Sequence, residues 1–183
     1  MKLLYGPDIM PETFFLMRYY SPLGTYVLVS SQRGVICVKS ETRVAARLAQ
    51  WEKESIRIQD GNGHNHKVAT ELDAYFAGNL RQFSVPLDLR GTDFQRQVWE
   101  LLLGIPYGET RSYGQIASAL GRPTASRAVG RATGTNPIAI IVPCHRVIGA
   151  NGGLVGYGGG LDKKQALLDL EASVMRQRHG TQS

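Results

Sequence analysis

The chain has 183 residues, 43% hydrophobic and 20% charged, with a net charge of +6. That profile fits one large or two small globular domains and argues against a fibre or a disordered polymer. With only Cys37 and Cys144 there is no basis for a disulfide framework, and a working free thiol fits a reducing, intracellular, cytoplasmic setting.

No run is long enough to span a bilayer, and Lys2, Asp8, Glu12 and Arg18 with Pro7 and Pro11 break up the first residues, which do not read as a signal peptide. The charge is unevenly placed. Residues 1–89 hold ten Lys and Arg against nine Asp and Glu, whereas residues 90–183 hold eleven against six. The excess in the second half suits a phosphate backbone, although basic proteins without nucleic-acid partners are common.

In chain order, residues 14–20, 24–30 and 34–40 are β-branched and aromatic runs separated by Ser-Pro-Leu-Gly and Ser-Gln-Arg-Gly; they predict a small antiparallel meander. Thr42 is placed to cap a helix reaching about residue 54, with Val44, Ala45, Leu48 and Trp51 on its buried side. Residues 60–66 are polar and Gly-rich and read as a loop before a helix over 67–76. Residues 87–91 read as a connector, dividing the chain into domains at 1–88 and 89–175.

Beyond it, Thr92 with Gln95 and Ser112 with Gln115 form two capping boxes, opening helices that stop at Gly104 and Gly121. After the Gly-Arg-Pro-Thr turn at 121–124 a helix over 125–133 completes the outline of a helix-turn-helix. Its spacing turns Ala125, Ala128, Val129 and Ala132 inward and Ser126, Arg127, Gly130 and Arg131 outward. So small an outward face favours close backbone approach in the minor groove over base reading in the major groove. The apolar run 138–142 reads as a short buried strand leading to Pro143-Cys144-His145-Arg146-Val147, and a last helix starts near Leu161, burying Leu167, Leu168 and Leu170. Residues 174–183 read as frayed, with 176–183 set apart as a tail.

Cys144 beside His145 and Arg146 is the chemical centre: a thiol with an ordinary pKa of about 8.5 needs a base or a positive field to attack carbon. His145 is the local base, and because neighbours in extended chain point apart, a bridging water is a reasonable geometry. An isolated Cys-His pair also fits a buried, inert cysteine. Cys37, inside Val35-Ile36-Cys37-Val38, reads as a core residue; with only His64 and His66 to join it in that half, no zinc site is expected.

Residues 105–114, Ile-Pro-Tyr-Gly-Glu-Thr-Arg-Ser-Tyr-Gly, are followed in order by Ser126 to Gly130, Asn136-Pro137, residues 143–147 and Gly156-Tyr157-Gly158-Gly159-Gly160. Over residues 92–171 this closely resembles the O6-alkylguanine-DNA alkyltransferases, the methylated-DNA–protein-cysteine methyltransferases. The N-terminal half is similar more loosely, through residues 20–24 and 75–78.

The resemblance implies an α+β fold, with an N-terminal α/β, RNase H-like domain and a C-terminal winged-helix-like domain. It implies a catalytic set of Cys144 as nucleophile, His145, Glu171 fixing the imidazole, Asn136 bracing the turn, and Tyr113 at the leaving guanine. Ser126, Arg127, Gly130, Arg131 and Tyr113 would bind DNA, Arg127 filling the space of an extruded nucleotide. Ala139, Val147, Tyr157, Gly158 and Gly159 would form the alkylguanine pocket, with backbone donors near the purine and the carbonyls of Cys144 and Val147 near its amine. Many relatives have serine where Gly158 stands and some have proline where Ala139 stands, which points to a roomier pocket here.

A thioether is a poor leaving group, so the implied reaction is stoichiometric and needs no cofactor. The implied activity is removal of methyl or larger groups from guanine O6, extending to thymine O4, by a monomer able to assemble cooperatively on double-stranded DNA, with no membrane partner. Three other readings compete: a lesion-binding relative without transfer, which the cysteine argues against; a helix-turn-helix regulator, which the small outward face argues against; and a Cys-His-Glu hydrolase.

Overall fold

The computed structural model describes residues 12–180. Strands β1 (Thr13–Ser21), β2 (Gly24–Ser30) and β3 (Val35–Ser40) form the expected antiparallel meander. Its first turn is tight: Ser21 Oγ donates to the Gly24 carbonyl at 2.8 Å and Gly24 takes φ +104°, a conformation open to residues without Cβ. Helix α1 (Glu41–Lys53) then crosses the sheet and returns the chain as β4 (Arg57–Asp60), parallel to β1, in strand order β3-β2-β1-β4. The sheet is therefore mixed. Ile58 is the one apolar residue in this edge strand, so no alternation announced it.

Both sheet faces are covered, which explains why β2 is buried over five consecutive residues. On one face Phe14, Val27, Val29, Ile36 and Cys37 pack under Val44 and Trp51 of α1. Ala45 is exposed, and Thr42 lies inside the helix rather than capping it; Ser40 is the N-cap and makes no side-chain cap bond. On the other face Tyr26, Leu28, Val35 and Val38 meet Val68, Leu72 and Tyr75 of α2 (Gly63–Phe76).

Helix α2 starts four residues earlier than expected, because Asn62 and Asn65 form a reciprocal capping box, with asparagine where glutamate or glutamine is the usual signal. His64 and His66 thus sit in its first turn rather than in a loop. After α2, the Pro86 carbonyl accepts from Val35 N at 2.9 Å and Asp88 N donates to the Val35 carbonyl at 2.8 Å, pinning the connecting segment to β3.

Helices α3 (Asp93–Leu103) and α4 (Tyr113–Ala119) carry the two capping boxes read from the sequence, each worth about 1 kcal/mol. A 3₁₀ turn at Pro123–Ala125 leads into α5 (Ser126–Gly134), and Trp99 Nε1 donates to the Ala132 carbonyl at 2.9 Å, locking α3 against α5. Helix α6 (Leu161–Gly180) buries Lys164, Leu167 and Glu171 on one face, with Leu168 and Leu170 only half-buried. It continues through Gly180 where fraying was expected from residue 174; residues 181–183 of that tail lie outside the described residues. A single buried cluster runs from Tyr26 and Leu28 of the sheet to Trp99, Ile138, Cys144 and Leu167.

Candidate active site

The run 138–142 is not a strand. Ile138 N donates to Asn136 Oδ1 at 3.0 Å while Asn136 Nδ2 donates to the Val142 carbonyl at 2.8 Å, folding the segment into a turn around the asparagine. At its tip Ile140 has φ 72°, a conformation that costs a β-branched residue on the order of 1–3 kcal/mol and persists where the surroundings over-determine it. Here they do, since Ile138, Ile140 and Val142 are buried and Val38 of β3 brackets the turn, its N–H donating to the Pro137 carbonyl and its carbonyl accepting from Ala139 N, both at 2.9 Å.

The chain then makes a 3₁₀ turn, Cys144–Arg146, not an extended segment, so Cys144 and His145 diverge by about 120° rather than pointing oppositely. Strand β6 (Val147–Ile148) pairs in parallel with β5 (Arg111–Ser112), placing this turn beside the start of α4 and Tyr113.

His145 and Glu171 are fully buried, and His145 Nε2 lies 2.8 Å from Glu171 Oε1. The carboxylate also accepts from Tyr75 Oη at 2.7 Å, from Gly108 N at 3.0 Å, and from Arg146 Nε and Nη2 at 2.8 to 3.2 Å. Burial alone would raise its pKa, but hydrogen bonds from His145 and Arg146 hold it at about 2. An ionised Glu171 makes Nε2 the protonated nitrogen. Nδ1, buried and without a partner among the described residues, is then a bare acceptor. Burial pushes the imidazole pKa below its ordinary value, against the pull of Glu171, so the ring rests neutral.

Cys144 is 7% exposed. Burial raises its pKa, and the Asn136 side chain and the Lys164 and Lys39 ammonium groups pull it down without prevailing. The resting group is a sheltered thiol. It lines a cavity together with Asn136, Ala139, Tyr157, Gly158 and Gly159. Val147 is absent from that lining. It is fully buried, and its carbonyl accepts from Lys164 Nζ at 2.5 Å.

Lys164 is the residue that sequence reasoning missed most plainly. Fully buried, it bridges the carbonyls of Val147 and Val155, the second at 2.8 Å, so one ammonium joins the cysteine turn to the pocket loop. Its signal was available, because Lys164, Leu167 and Glu171 share the buried face of α6 at helical spacing. Also missed were Tyr26, Lys39, Ser40 and Arg43, through which the N-terminal half lines the cavity. They come from β2, β3 and α1, and nothing local marks them.

Tyr113 Oη donates to the Val155 carbonyl at 3.1 Å. Its ring lies under α5, where a Cβ on Gly130 would stand 3.7 Å away. Burial, and then the charge Cys144 would carry if ionised, raise the pKa of Tyr113, Tyr26 and, most strongly, Tyr157, keeping all three as hydroxyl donors. Arg127 and Arg131 are exposed on α5, Ser126 and Gly130 half-exposed. Ala128, expected inward, is also exposed, because the buried stripe of this short helix narrows to Val129, Ala132 and Thr133. Among the described residues no three His, Cys, Asp or Glu side chains gather as a metal site, and no helix is long and apolar enough to cross a membrane.

Two family models match the chain: the ribonuclease-like domain of 6-O-methylguanine DNA methyltransferase over residues 17–89 and its DNA-binding domain over residues 93–173. A methylated-DNA–protein-cysteine methyltransferase of Mycolicibacterium paratuberculosis is 68% identical over 150 residues, covering 80% of this chain and 91% of the relative. One from Mycobacterium tuberculosis is 70% identical over 103 residues, a match spanning 56% of this chain and 62% of that relative's length. The crystal structure of Mycobacterium tuberculosis OGT in complex with DNA superposes with a TM-score of 0.76 at 48% identity, covering 88% of this chain and 94% of the other. Matched over both halves, the chain belongs to the 6-O-methylguanine DNA methyltransferase family, whose curated members are named methylated-DNA–protein-cysteine methyltransferases.

Proposed function

We propose that this chain repairs DNA by direct reversal, moving a methyl or larger alkyl group from guanine O6, or thymine O4, in a duplex onto Sγ of its own Cys144. The observation that carries the proposal is the sheltered thiol facing a cavity, backed by a neutral imidazole whose bare Nδ1 can take the thiol proton. Sγ attacks the alkyl carbon in line with the departing oxygen. The S–C bond forms as the O–C bond breaks, and the electron pair goes to the base, which takes up a proton.

His145 acts as the base through one water, since its Nδ1 has no hydrogen-bond partner among the described residues. Glu171 is a positioning residue that sets its tautomer, and Asn136 holds the turn carrying Cys144. Tyr113 donates toward the leaving guanine once its hydroxyl turns from the Val155 carbonyl. Tyr157, Gly158 and Gly159 wall the base pocket with Ala139, while Val147, outside the lining, anchors the cysteine turn through Lys164.

Ser126, Arg127, Gly130 and Arg131 present α5 to the minor groove, with Arg127 filling the gap left by the extruded nucleotide. Such a protein acts once, as a monomer able to assemble along DNA, and its free thiols suit a reducing cytoplasm.

The test is intact-protein and peptide mass analysis after incubation with duplex DNA holding one O6-methylguanine, beside a Cys144→Ser control. Gain of a single methyl group at Cys144 with restored guanine is the expected result. Tight lesion binding with no mass gain would make the chain a lesion sensor instead.

A further inference from the structure

The cavity at Cys144 is lined by thirteen residues, two of them the cations Lys39 and Arg43, and none of them Asp or Glu. The carboxylate nearest to both in sequence is taken elsewhere, since Glu41 Oε1 accepts from Arg18 Nε at 2.7 Å. Arg43 reaches across the cavity mouth to donate to the carbonyl of Gly158 in the pocket loop. The glycine makes room for it, because a Cβ at 158 would lie 2.8 Å from Arg43 Nη1. A methylated guanine is neutral and offers these two cations nothing. An anionic substituent on O6 would give both an ion pair in a space partly closed to water, and would replace the neutral carbonyl on Arg43 with a carboxylate.

Resting on the alkyl-transfer reading, we propose that Lys39 and Arg43 form a subsite for an anionic O6 substituent, so that a carboxylate-ended group such as carboxymethyl is taken in preference to a neutral group of the same size. The chemistry is unchanged: Sγ bonds to the methylene carbon, the O6–C bond breaks with its pair going to guanine, guanine takes a proton, and the carboxylate passes to the protein intact. The subsite belongs to the N-terminal half, on the wall opposite the pocket loop. That gives this half a role in choosing substrates as well as in supporting the other.

The test compares single-turnover rates on duplexes carrying O6-carboxymethylguanine or its neutral isostere O6-carbamoylmethylguanine, with O6-methylguanine as the reference. The acid is expected to react about tenfold faster than the amide, with rising salt narrowing the ratio. The ratio should fall to about one in the Lys39→Met/Arg43→Gln double variant and recover in Lys39→Arg/Arg43→Lys.

A wild-type ratio at or below one overturns the proposal without needing any variant to fold. So does a ratio that survives the double substitution. Uniform slowing of all three substrates with the ratio kept would assign the cations to the thiolate or to DNA phosphates, and overturns it too. Failure of the wild type on O6-methylguanine would instead overturn the alkyl-transfer reading.

Discussion

His145 Nε2 meets Glu171 Oε1 at 2.8 Å with both side chains fully buried, and the same carboxylate neutralises the guanidinium of Arg146. The contact orients the imidazole, and the carboxylate is also the counter-ion of the whole buried group. Glu171→Gln should therefore cost about 3–5 kcal/mol of stability, the scale of leaving a buried charge unpaired, together with most of the transfer rate. Urea unfolding of the variant checks the first and single-turnover kinetics the second.

Glu171 also sets an acid limit. Its folded pKa of about 2 lies below the ordinary 4.5, so its contribution is present above pH 4.5 and is lost as pH falls from there toward 2, roughly 3 kcal/mol in all. Thermal melts between neutral pH and pH 2 should show the decline, and Glu171→Gln should flatten it.

The rate should follow the neutral imidazole. Burial holds the His145 pKa below 6.5 and the Cys144 pKa above 9.0, so near neutrality the pair is thiol plus neutral base. Transfer should be flat around pH 7 and fall at acid pH with a midpoint below 6.5. It should rise again only where the thiol ionises by itself. Single-turnover rates across that range decide it, and an acid midpoint above 6.5 would contradict the burial argument.

Lys164→Met removes the ammonium that joins the carbonyls of Val147 and Val155. The two buried acceptors lose a charged donor, at about 2–3 kcal/mol, and the pocket loop loses its tie to the cysteine turn. Faster amide exchange over residues 147–157, and a higher Cys144 pKa by thiol-alkylation rate, are the expected signatures. A variant merely less stable, compared with the wild type under native conditions of equal global stability, would show neither.

Arg127 is exposed, so Arg127→Ala should leave stability within about 0.5 kcal/mol. Base extrusion costs a few kcal/mol, and losing the group that fills the gap should slow transfer from duplex DNA by about 10- to 100-fold. The free base O6-methylguanine, which needs no extrusion, should react as before.

Local chemistry was legible where its partners lie close in sequence. The capping boxes Thr92 with Gln95 and Ser112 with Gln115, the turn at residues 21–24 and the Pro143-Cys144-His145 signature are each contained within a few residues. The Asn62 cap obeyed the same physics with an unusual partner and was passed over, and β4 offered too few apolar residues to declare itself. The run 138–142 misled because five apolar residues fit a buried strand and a buried turn equally well; the Asn136 hydrogen bonds decided between them.

The sequence by itself determined which residues are candidates for the chemistry, because a nucleophile, a base and a carboxylate are set by side-chain type and motif. Only the tertiary structure decided their state. Whether Cys144 is thiol or thiolate, which nitrogen of His145 is bare, and that Lys39, Arg43 and Lys164 share in the site all depend on burial and on partners up to 115 residues away in the chain. Proton affinities answer to the surrounding dielectric and charge, and those exist only once the chain has folded around them.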